Sequence, residues 1–573
     1  MNNSAWTLPR IHHATVIDRM LIIDLGLIVS IWCISIIVVN PIGNFPLIDD
    51  WSFGRAVQRL LQSGDYRPEW ASMPLITNVL WGALFCLPGG FSFTALRLST
   101  LLASLLALVG TYVLVRDLQQ PRWLAVVITL TLGFNPIYYA LSHTFMTDVP
   151  FTALAIWTSV FFARSLRNGS TFAMLLGTVL AIAATLSRQL ALCIPMAFAA
   201  TLFLRPGARL KPVLHAVIPP LLCVGALFAF NHWLATSGRL PKDYDLRTNE
   251  LLQVLTDLKH FTRHLFSNAF EAVVYLGLFL LPFLLLSSKD LFRPTHRRNA
   301  ALLAGGILAT ALGAAVRTHY GGRMLIPPPH LNILLESGIG PVYLRDTFIL
   351  HLHHMSALPA GFWMILSAMG LVGAALLITK LSAHALDLIP KLLRRGLSDD
   401  VEAISIFLLL CGVIYALPLL AVTFLFDRYL ISLIPFFAVG LAGLSSRCAA
   451  SPFSSAKSLR FTALSLLVAF SLFSIGVTRD YLMWNRVRWE ALQDLARLGH
   501  ITVEDIDGGF EFNCLYLFDP GYRPRPERSW WCVHGDTYQI GLGIVPGYTV
   551  TKEYSYHHWL PPHVQKLVVL QKQ

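Results

Sequence analysis

Long apolar runs separated by short polar connections occupy most of this sequence. The first run, Leu21–Val39, is long enough to cross a bilayer as one helix, given a rise of ~1.5 Å per residue. Comparable runs recur up to residue 478, although several fall short of the ~20 residues that a perpendicular span needs. The pattern predicts an α-helical integral membrane protein with about 13 transmembrane helices.

The composition agrees with a membrane protein. Charged residues make up 13% of the chain and apolar residues 55%, and the mean hydropathy is +0.59, whereas soluble domains carry ~25% charged residues. The net charge of +12 is typical of Lys and Arg in cytoplasmic loops. We therefore expect membrane lipids, and no nucleic acid, as partners. The polar N-terminus lacks a small-residue cleavage site, so Leu21–Val39 is interpreted as a retained helix.

The basic loops predict the orientation. The short run Leu75–Leu87 ends at Pro88-Gly89-Gly90 and is interpreted as an interfacial helix of a first outer loop, residues 40–93. The later basic loops then fall on one side of the membrane, which the positive-inside rule makes cytoplasmic. We expect a multi-pass protein of the cell inner (cytoplasmic) membrane with a cytoplasmic N-terminus.

The chain changes character after residue 478. Its last part contains alternating runs, TYQIGLGIV and YTVTKEYSYHHW, which are typical of strands. The sequence thus predicts a transmembrane module over residues 1–478 and a small extracytoplasmic α/β or β domain over 479–573. Cys514 and Cys532 are the only cysteines in that domain, and whether they form a disulfide stays open.

Acidic residues interrupt the apolar pattern at the predicted outer face. Asp49 and Asp50 adjoin an amphipathic segment in the stretch NPIGNFPLIDDWSFGRAVQRLLQSGDYRPEWASMP, and Asp148 lies in HTFMTDVP. Charges close to a membrane are costly, which makes these carboxylates candidates for function. The alternative for the acid pair is helix capping, because Asp often precedes a helix.

Four arginines are candidates for binding an anion at the same face. They are Arg188, Arg317, Arg323 and Arg428. The guanidinium group can hold a phosphate through two parallel hydrogen bonds. Interhelical ion pairs and snorkelling anchors are the alternatives. The chain has no Walker loop, Rossmann fingerprint, Cys/His zinc pattern or nucleophile elbow.

These residues carry a family resemblance. An acidic pair in the first loop, an amphipathic helix ending in SGDY, and MTDVPF at the start of a later span resemble the GT-C glycosyltransferases. The similarity is to the family 39 branch with the protein O-mannosyltransferases and the lipid A aminoarabinose transferase. It covers residues 20–205, where LSRQLALCIP resembles a Thr-Arg-Pro stretch, and extends to DRYLISLIPFFA.

The resemblance implies a lipid-linked sugar donor, usually a polyprenyl-phosphate sugar, used outside the cytoplasmic membrane. It makes Asp49 the acceptor-binding base and Asp148 the second acid, with Asp50 where Glu is usual. The branch's Lys-Pro-Pro is replaced by Ser-Met-Pro at residues 72–74. The arginines are therefore expected to bind the donor phosphate.

We expect transfer to a lipid, glycan or protein acceptor of the cell envelope by an inverting single displacement. Breaking the bond from the anomeric carbon to phosphate requires a carboxylate near the acceptor and cations near the leaving group. No cofactor is expected to be required. A divalent metal is an open alternative, because carboxylates and histidines at the predicted outer face are potential ligands. The histidines are His143, His319, His330, His351, His353 and His354. The alternatives are a transporter or flippase of a lipid-linked or anionic substrate, and a lipid-handling scaffold or polymer ligase.

Overall fold

The structure is a computed structural model. It describes residues 12–206, 210–241, 244, 249, 252–253, 258–288, 297–319, 326, 333–352, 354–355, 357–422, 425–445, 457–499, 501–523 and 531–573.

Helices form most of the described chain. Those of the first half are α1 (His12–Val39), α2 (Asp50–Ser63), α3 (Ile76–Cys86), α4 (Phe93–Asp117), α5 (Arg122–Gly133), α6 (Pro136–Ser142), α7 (Asp148–Asn168), α8 (Thr171–Thr185), α9 (Cys193–Phe203) and α10 (Leu210–Thr236). Those of the second half are α11 (Leu258–Ser287), α12 (Arg297–His319), α13 (Ala360–Arg395), α14 (Asp400–Ala421), α15 (Leu433–Leu444), α16 (Lys457–Ala496) and α17 (Phe510–Leu517).

The helical membrane fold predicted from the sequence is confirmed. Within the described residues, 10 helices are long and apolar enough to span a membrane, or 11 if α5 and α6, bent by 67°, count as one span. Two more of the roughly thirteen predicted spans are the shorter apolar helices Thr171–Thr185 and Gln189–Phe203. At ~1.5 Å per residue, each is shorter than the ~30 Å hydrocarbon layer.

The first outer loop is ordered by a buried arginine. Arg97 of α4 is 1% exposed. Its guanidinium donates hydrogen bonds to the carbonyl oxygens of Pro41 (2.6 Å), Gly43 (3.0 Å) and Phe45 (3.0 Å). Because a buried charge must be satisfied by partners, Arg97 holds the backbone that leads into α2.

The last part of the chain forms the predicted small sheet domain. Its strands are β3 (Ile506–Asp507), β4 (Tyr538–Gly541), β5 (Tyr548–Trp559) and β6 (Pro562–Lys572), in the order β3-β4-β6-β5, and β5 and β6 are antiparallel. The short pair β1 (Leu334–Leu335) and β2 (Gly338–Ile339) lies in the preceding region.

The sheet domain packs on the helical part without an intervening linker. Helix α16 is 40 residues long and runs past residue 479, at which the sequence predicts a domain boundary. Ile506, Phe512 and Ile540 belong to the same buried apolar cluster as the spanning helices. The elements of the sheet domain therefore lie directly against the first outer loop.

Candidate active site

Asp49 lies directly before α2, beside a cation that is distant in the sequence. Its Oδ2 is 3.6 Å from Nη1 of Arg428, and the two side chains are 19% and 16% exposed. Asp49 makes no capping hydrogen bond to the helix. Its carboxylate therefore remains partly accessible next to a positive charge.

Asp148 and Arg188 form a second, buried ion pair. Nη1 of Arg188 donates to Oδ1 of Asp148, and the side chains are only 7% and 1% exposed. The guanidinium also lies over the rings of Tyr429 (5.1 Å) and Phe151 (5.8 Å). Asp148 begins α7 and Arg188 lies in the break between α8 and α9, so two helix ends meet here.

Arg428 connects the two pairs. Arg428 interacts electrostatically with both Asp49 and Asp148. Its positive charge also acts on the like charge of Arg188. We call Asp49, Asp148, Arg188 and Arg428 the ion cluster. Two of its polar atoms, Nε of Arg428 and Oδ2 of Asp148, are buried and have no hydrogen-bond partner among the described residues. Burying a polar atom without a hydrogen-bond partner is unfavourable, so a ligand that bonds to these atoms would be stabilised here.

Asp50 has a different environment from its neighbour Asp49. It is 2% exposed, and the backbone N–H groups of Phe145 and Leu47 interact with its carboxyl group. Asp50 therefore joins the first outer loop to the HTFMTDVP turn rather than capping α2. Burial is the largest cause of a rise in the pKa of Asp50 to about 8, and the two N–H groups oppose it.

The raised pKa of Asp50 predicts that the stability of the fold depends on pH. Between its unfolded pKa of about 3.9 and its folded pKa of about 8, Asp50 binds a proton in the folded state that the unfolded chain releases. Its contribution to stability therefore falls as the pH rises through this window. Asp50→Asn cannot ionise, so thermal unfolding in detergent should show a smaller loss of Tm between pH 5 and pH 8. The exposed-site variant Glu553→Gln is the control, and an unchanged slope in Asp50→Asn would contradict the prediction.

Of the remaining candidate arginines, Arg317 lies outside the ion cluster. Nη2 of Arg317 is 3.6 Å from Oε2 of Glu271, and Nη1 donates to Ser267. Glu271 interacts electrostatically with Asp427, the neighbour of Arg428, so Arg317 belongs to an adjacent network. Arg323 lies outside the described residues, and its role stays a prediction.

The backbone before Asp49 is held by the C-terminal domain, which the sequence did not indicate. Ile48 has a φ of 57°, which is rare and strained for a β-branched residue. Its N–H donates to Oε1 of Glu511 (3.2 Å). Glu511 in turn accepts a hydrogen bond of 2.8 Å from Arg488, and both side chains are fully buried. We call Ile48, Glu511 and Arg488 the loop clamp.

Tyr343 is a second residue that the sequence analysis missed. It interacts electrostatically with Asp49 and Arg428. Its ring packs against Phe510 at 5.3 Å and Trp531 at 5.9 Å. It thus lies between the ion cluster and the C-terminal domain. The surrounding sequence, GPVYLRD, has no pattern that singles it out.

The described candidate histidines form no group of metal ligands with the carboxylates. His143, expected to face outward, is 1% exposed, and its Nδ1 is 2.9 Å from the carbonyl oxygen of Tyr139. His330 and His353 lie outside the described residues. Within the described part of the chain, no three His, Cys, Asp or Glu side chains are grouped to hold a metal. A divalent metal requirement stays untested.

Cys514 and Cys532 are adjacent and unbonded in the structure. The thiol groups are within hydrogen-bonding distance of each other, and this contact lowers the pKa of Cys532 to about 7, although burial opposes it. Burial raises the pKa of Cys514. The positions are compatible with a disulfide, so the question that the sequence left open remains so.

The fold and the ion cluster define a multi-spanning membrane protein with paired acids and arginines beside its first outer loop. Residues 72–235 match the family model described as dolichyl-phosphate-mannose-protein mannosyltransferase. The matched segment contains Asp148 and Arg188 and begins after Asp49. The match supports the resemblance noted above: this segment is similar to the protein mannosyltransferases.

Similarities to solved structures are weaker. ArnT from Cupriavidus metallidurans bound to undecaprenyl phosphate is 12% identical, with a TM-score of 0.40 over 95% of this chain and 98% of that chain. ArnT from the same organism in the apo state is 13% identical, with a TM-score of 0.35 over 88% and 85%. The Archaeoglobus fulgidus oligosaccharyltransferase tethered with an acceptor peptide is 11% identical, with a TM-score of 0.28 over 74% and 55%. TM-scores below 0.5 do not support an assignment, and a search of curated proteins finds no match.

Proposed function

We propose that the protein transfers a sugar from a polyprenyl-phosphate-linked donor to a lipid, glycan or protein acceptor of the cell envelope. The observation that carries the proposal is the ion cluster. It combines a partly exposed carboxylate, Asp49, with a guanidinium, Arg428, whose Nε–H has no acceptor among the described residues. A hydroxyl acceptor and a phosphate diester are the two ligands that such a pair suits.

The proposed reaction is a single displacement with inversion at the anomeric carbon. Asp49 removes the proton as the acceptor oxygen forms its bond to that carbon. The bond from the anomeric carbon to the phosphate oxygen breaks, and polyprenyl phosphate leaves with the electron pair. Arg428 stabilises the negative charge that develops on the leaving oxygen, and Arg188 adds positive charge while holding Asp148. No covalent nucleophile is needed.

Transfer in proteoliposomes tests this function. The purified protein would be reconstituted with a radiolabelled polyprenyl-phosphate sugar and an extract of envelope lipids, glycans and proteins, with and without EDTA. We expect label to move into an acceptor, and its chemistry would then be read by mass spectrometry. Movement of intact labelled lipid across the bilayer without transfer would instead favour the flippase alternative. Loss of transfer with EDTA would reveal a metal requirement.

The proposed site of action is the outer face of the cytoplasmic membrane, with the N-terminus cytoplasmic and the C-terminal domain extracytoplasmic. The support is the basic loops, because Lys and Arg favour the cytoplasmic side.

A reporter that is active only outside the cytoplasm checks this orientation. Fused after Arg395, at the basic end of α13, the reporter should be silent, and fused after Gln573 it should be active. Activity after Arg395 would reverse the orientation and move the ion cluster to the inner face.

A further inference from the structure

The C-terminal domain contains two cysteines whose side chains lie next to each other. Cys514 lies on α17 and Cys532 lies shortly before β4, and the two residues are only 3% and 4% exposed. Both pack in one apolar cluster with Trp51, Phe510 and Trp531. The other described cysteines lie on α1, α3, α9, α10 and α14. Within the described residues, the C-terminal domain therefore holds a single pair of thiols that can react with each other.

The backbone at Cys532 is strained. Its φ is 56°, in the left-handed region that residues other than glycine rarely adopt. Trp531 and Val533, on either side, are buried, so packing holds the conformation in which the Cys532 thiol meets that of Cys514. Strained backbone persists only where its surroundings fix it, and it is common at functional sites. The strain thus supports a role for the thiol pair beyond filling space.

The two thiols differ in reactivity. The thiolate, and not the thiol, is the nucleophile in disulfide chemistry. The contact with Cys514 lowers the pKa of Cys532 to about 7, although burial opposes it, and the positive charge of Arg55 on α2 acts in the lowering direction. Burial raises the pKa of Cys514. Cys532 is therefore the thiol that attacks first.

Both cysteines contribute to the wall of a cavity of about 450 Å³. The cavity lies between α2, residues 238–241 and the C-terminal domain. Its volume is within the range of small-molecule sites, ~300–1,000 Å³. A small disulfide compound can therefore be accommodated beside the pair.

Helix α17 connects Cys514 to the backbone before Asp49. Glu511 of the loop clamp lies one turn before Cys514 on the same helix. The carbonyl oxygen of Leu515 accepts a hydrogen bond of 3.4 Å from Nη1 of Arg55 on α2. A helix of 8 residues is too short to be stable alone, so its position depends on such contacts. A covalent bond at Cys514 would add to them.

We propose that Cys514 and Cys532 are joined by a disulfide in the mature protein, and that this bond fixes α17 and with it the loop clamp. The inference rests on the proposed extracytoplasmic position of the C-terminal domain, because disulfides persist in oxidising compartments.

The bond forms by exchange with a disulfide of a small thiol compound or of an oxidoreductase. The Cys532 thiolate attacks one sulfur of that disulfide, and the other sulfur leaves with the electron pair. Cys514 then loses its proton and attacks the sulfur of Cys532, which releases the second sulfur of the oxidant. The two cysteines are oxidised, and the oxidant is reduced to two thiols that take up the two protons.

Mass spectrometry tests whether the bond exists. Membranes would be denatured in N-ethylmaleimide to block every free thiol, and the full-length protein would be purified and digested with trypsin, which cleaves after Arg528 between the two cysteines. We expect one cross-linked product that contains Cys514 and Cys532 and disappears when dithiothreitol is added before digestion. Cys33, exposed on α1, should carry N-ethylmaleimide and reports complete labelling. N-ethylmaleimide on both Cys514 and Cys532 would overturn the proposal.

Hydrogen exchange tests the link to the loop clamp. Reduction of the purified protein in detergent should speed exchange at the amides of Ile48 and α17 at least ~10-fold, because a disulfide stabilises the segment that it closes. Hydroxyethyl disulfide should restore the slow rate, and the amides of α13 are the internal reference. The double variant Cys514→Ser/Cys532→Ser should match the reduced parent, whereas Cys33→Ser should respond as the parent does.

Unchanged exchange at Ile48 after reduction would refute the effect on the loop clamp, even if the disulfide is present. Neither measurement uses sugar transfer. Failure of the proposed function would therefore leave both results standing, and absence of the disulfide would leave the proposed function standing.

Discussion

Asp49→Asn should reduce sugar transfer by at least ~10²-fold, the lower end of general-base contributions. The amide keeps the size of the side chain but cannot accept the acceptor's proton. Asp49 makes no capping hydrogen bond and is 19% exposed, so the fold should survive the change. Radiolabel transfer in proteoliposomes measures the rate, and binding of a fluorescent polyprenyl phosphate checks that the donor site is intact.

Substitutions of the neighbouring acids Asp148 and Asp50 provide comparisons for Asp49→Asn. Asp148→Asn should also be impaired, because it leaves Arg188 buried without its counter-ion. Asp50→Asn should affect transfer less, since its carboxyl group faces the HTFMTDVP turn and not Arg428. If purified Asp49→Asn protein transferred sugar at the parental rate, Asp49 would not be the base.

Arg428→Gln should weaken donor binding by ~1.5–3 kcal/mol, the usual contribution of a hydrogen bond to a charged group. This corresponds to a rise of roughly 10- to 150-fold in the donor Kd. The physical reason is the unused Nε–H beside Asp49, which a donor phosphate would engage. Titration with fluorescent polyprenyl phosphate measures the effect, while the acceptor KM should stay unchanged.

The other arginines serve as comparisons for Arg428. Arg317→Gln should alter donor affinity less, because Arg317 contacts Glu271 and Ser267 rather than the ion cluster. Arg188→Gln would be ambiguous alone, since breaking a buried pair costs ~3–5 kcal/mol of stability. The double variant Arg188→Gln/Asp148→Asn removes both charges and avoids that cost. Equal donor affinity in Arg428→Gln and the parent would reduce Arg428 to a structural counter-ion of Asp49.

The membrane fold and the positions of Asp49, Asp148, Arg188 and Arg428 could be predicted from the sequence, although their catalytic and binding roles remain untested. Each of these residues interrupts or ends an apolar run. A charge at such a position is energetically unfavourable, so it is easily recognised in the sequence as a candidate for function. Topology then brings such interruptions together at one face. The number of membrane spans was predicted less well. Arg188 divides an apolar stretch into two helices, each of which is too short to cross the membrane alone.

Other features depend on long-range contacts that leave no local pattern. Glu511 and Ile48 are 463 positions apart, and Glu511 lies in EDIDGGFEFN, a stretch to which the sequence assigns no role. Asp50 and Asp49 look equivalent in the sequence, but one residue of helical rotation sends their carboxyl groups to different partners. Arg317 and Arg428 likewise look similar, and only packing shows that Glu271 contacts the first.

The loop clamp has a consequence for the order in which the protein matures. Glu511 and Arg488 are synthesised long after the first outer loop, so the backbone before Asp49 stays without its support until the ribosome has passed residue 511. A nascent chain that has inserted all its spanning helices therefore still lacks the contact that holds Ile48 in its strained conformation. Fragments that end before Glu511 would occupy the membrane without the loop clamp, and only chains that extend past Glu511 would hold the backbone before Asp49 in place.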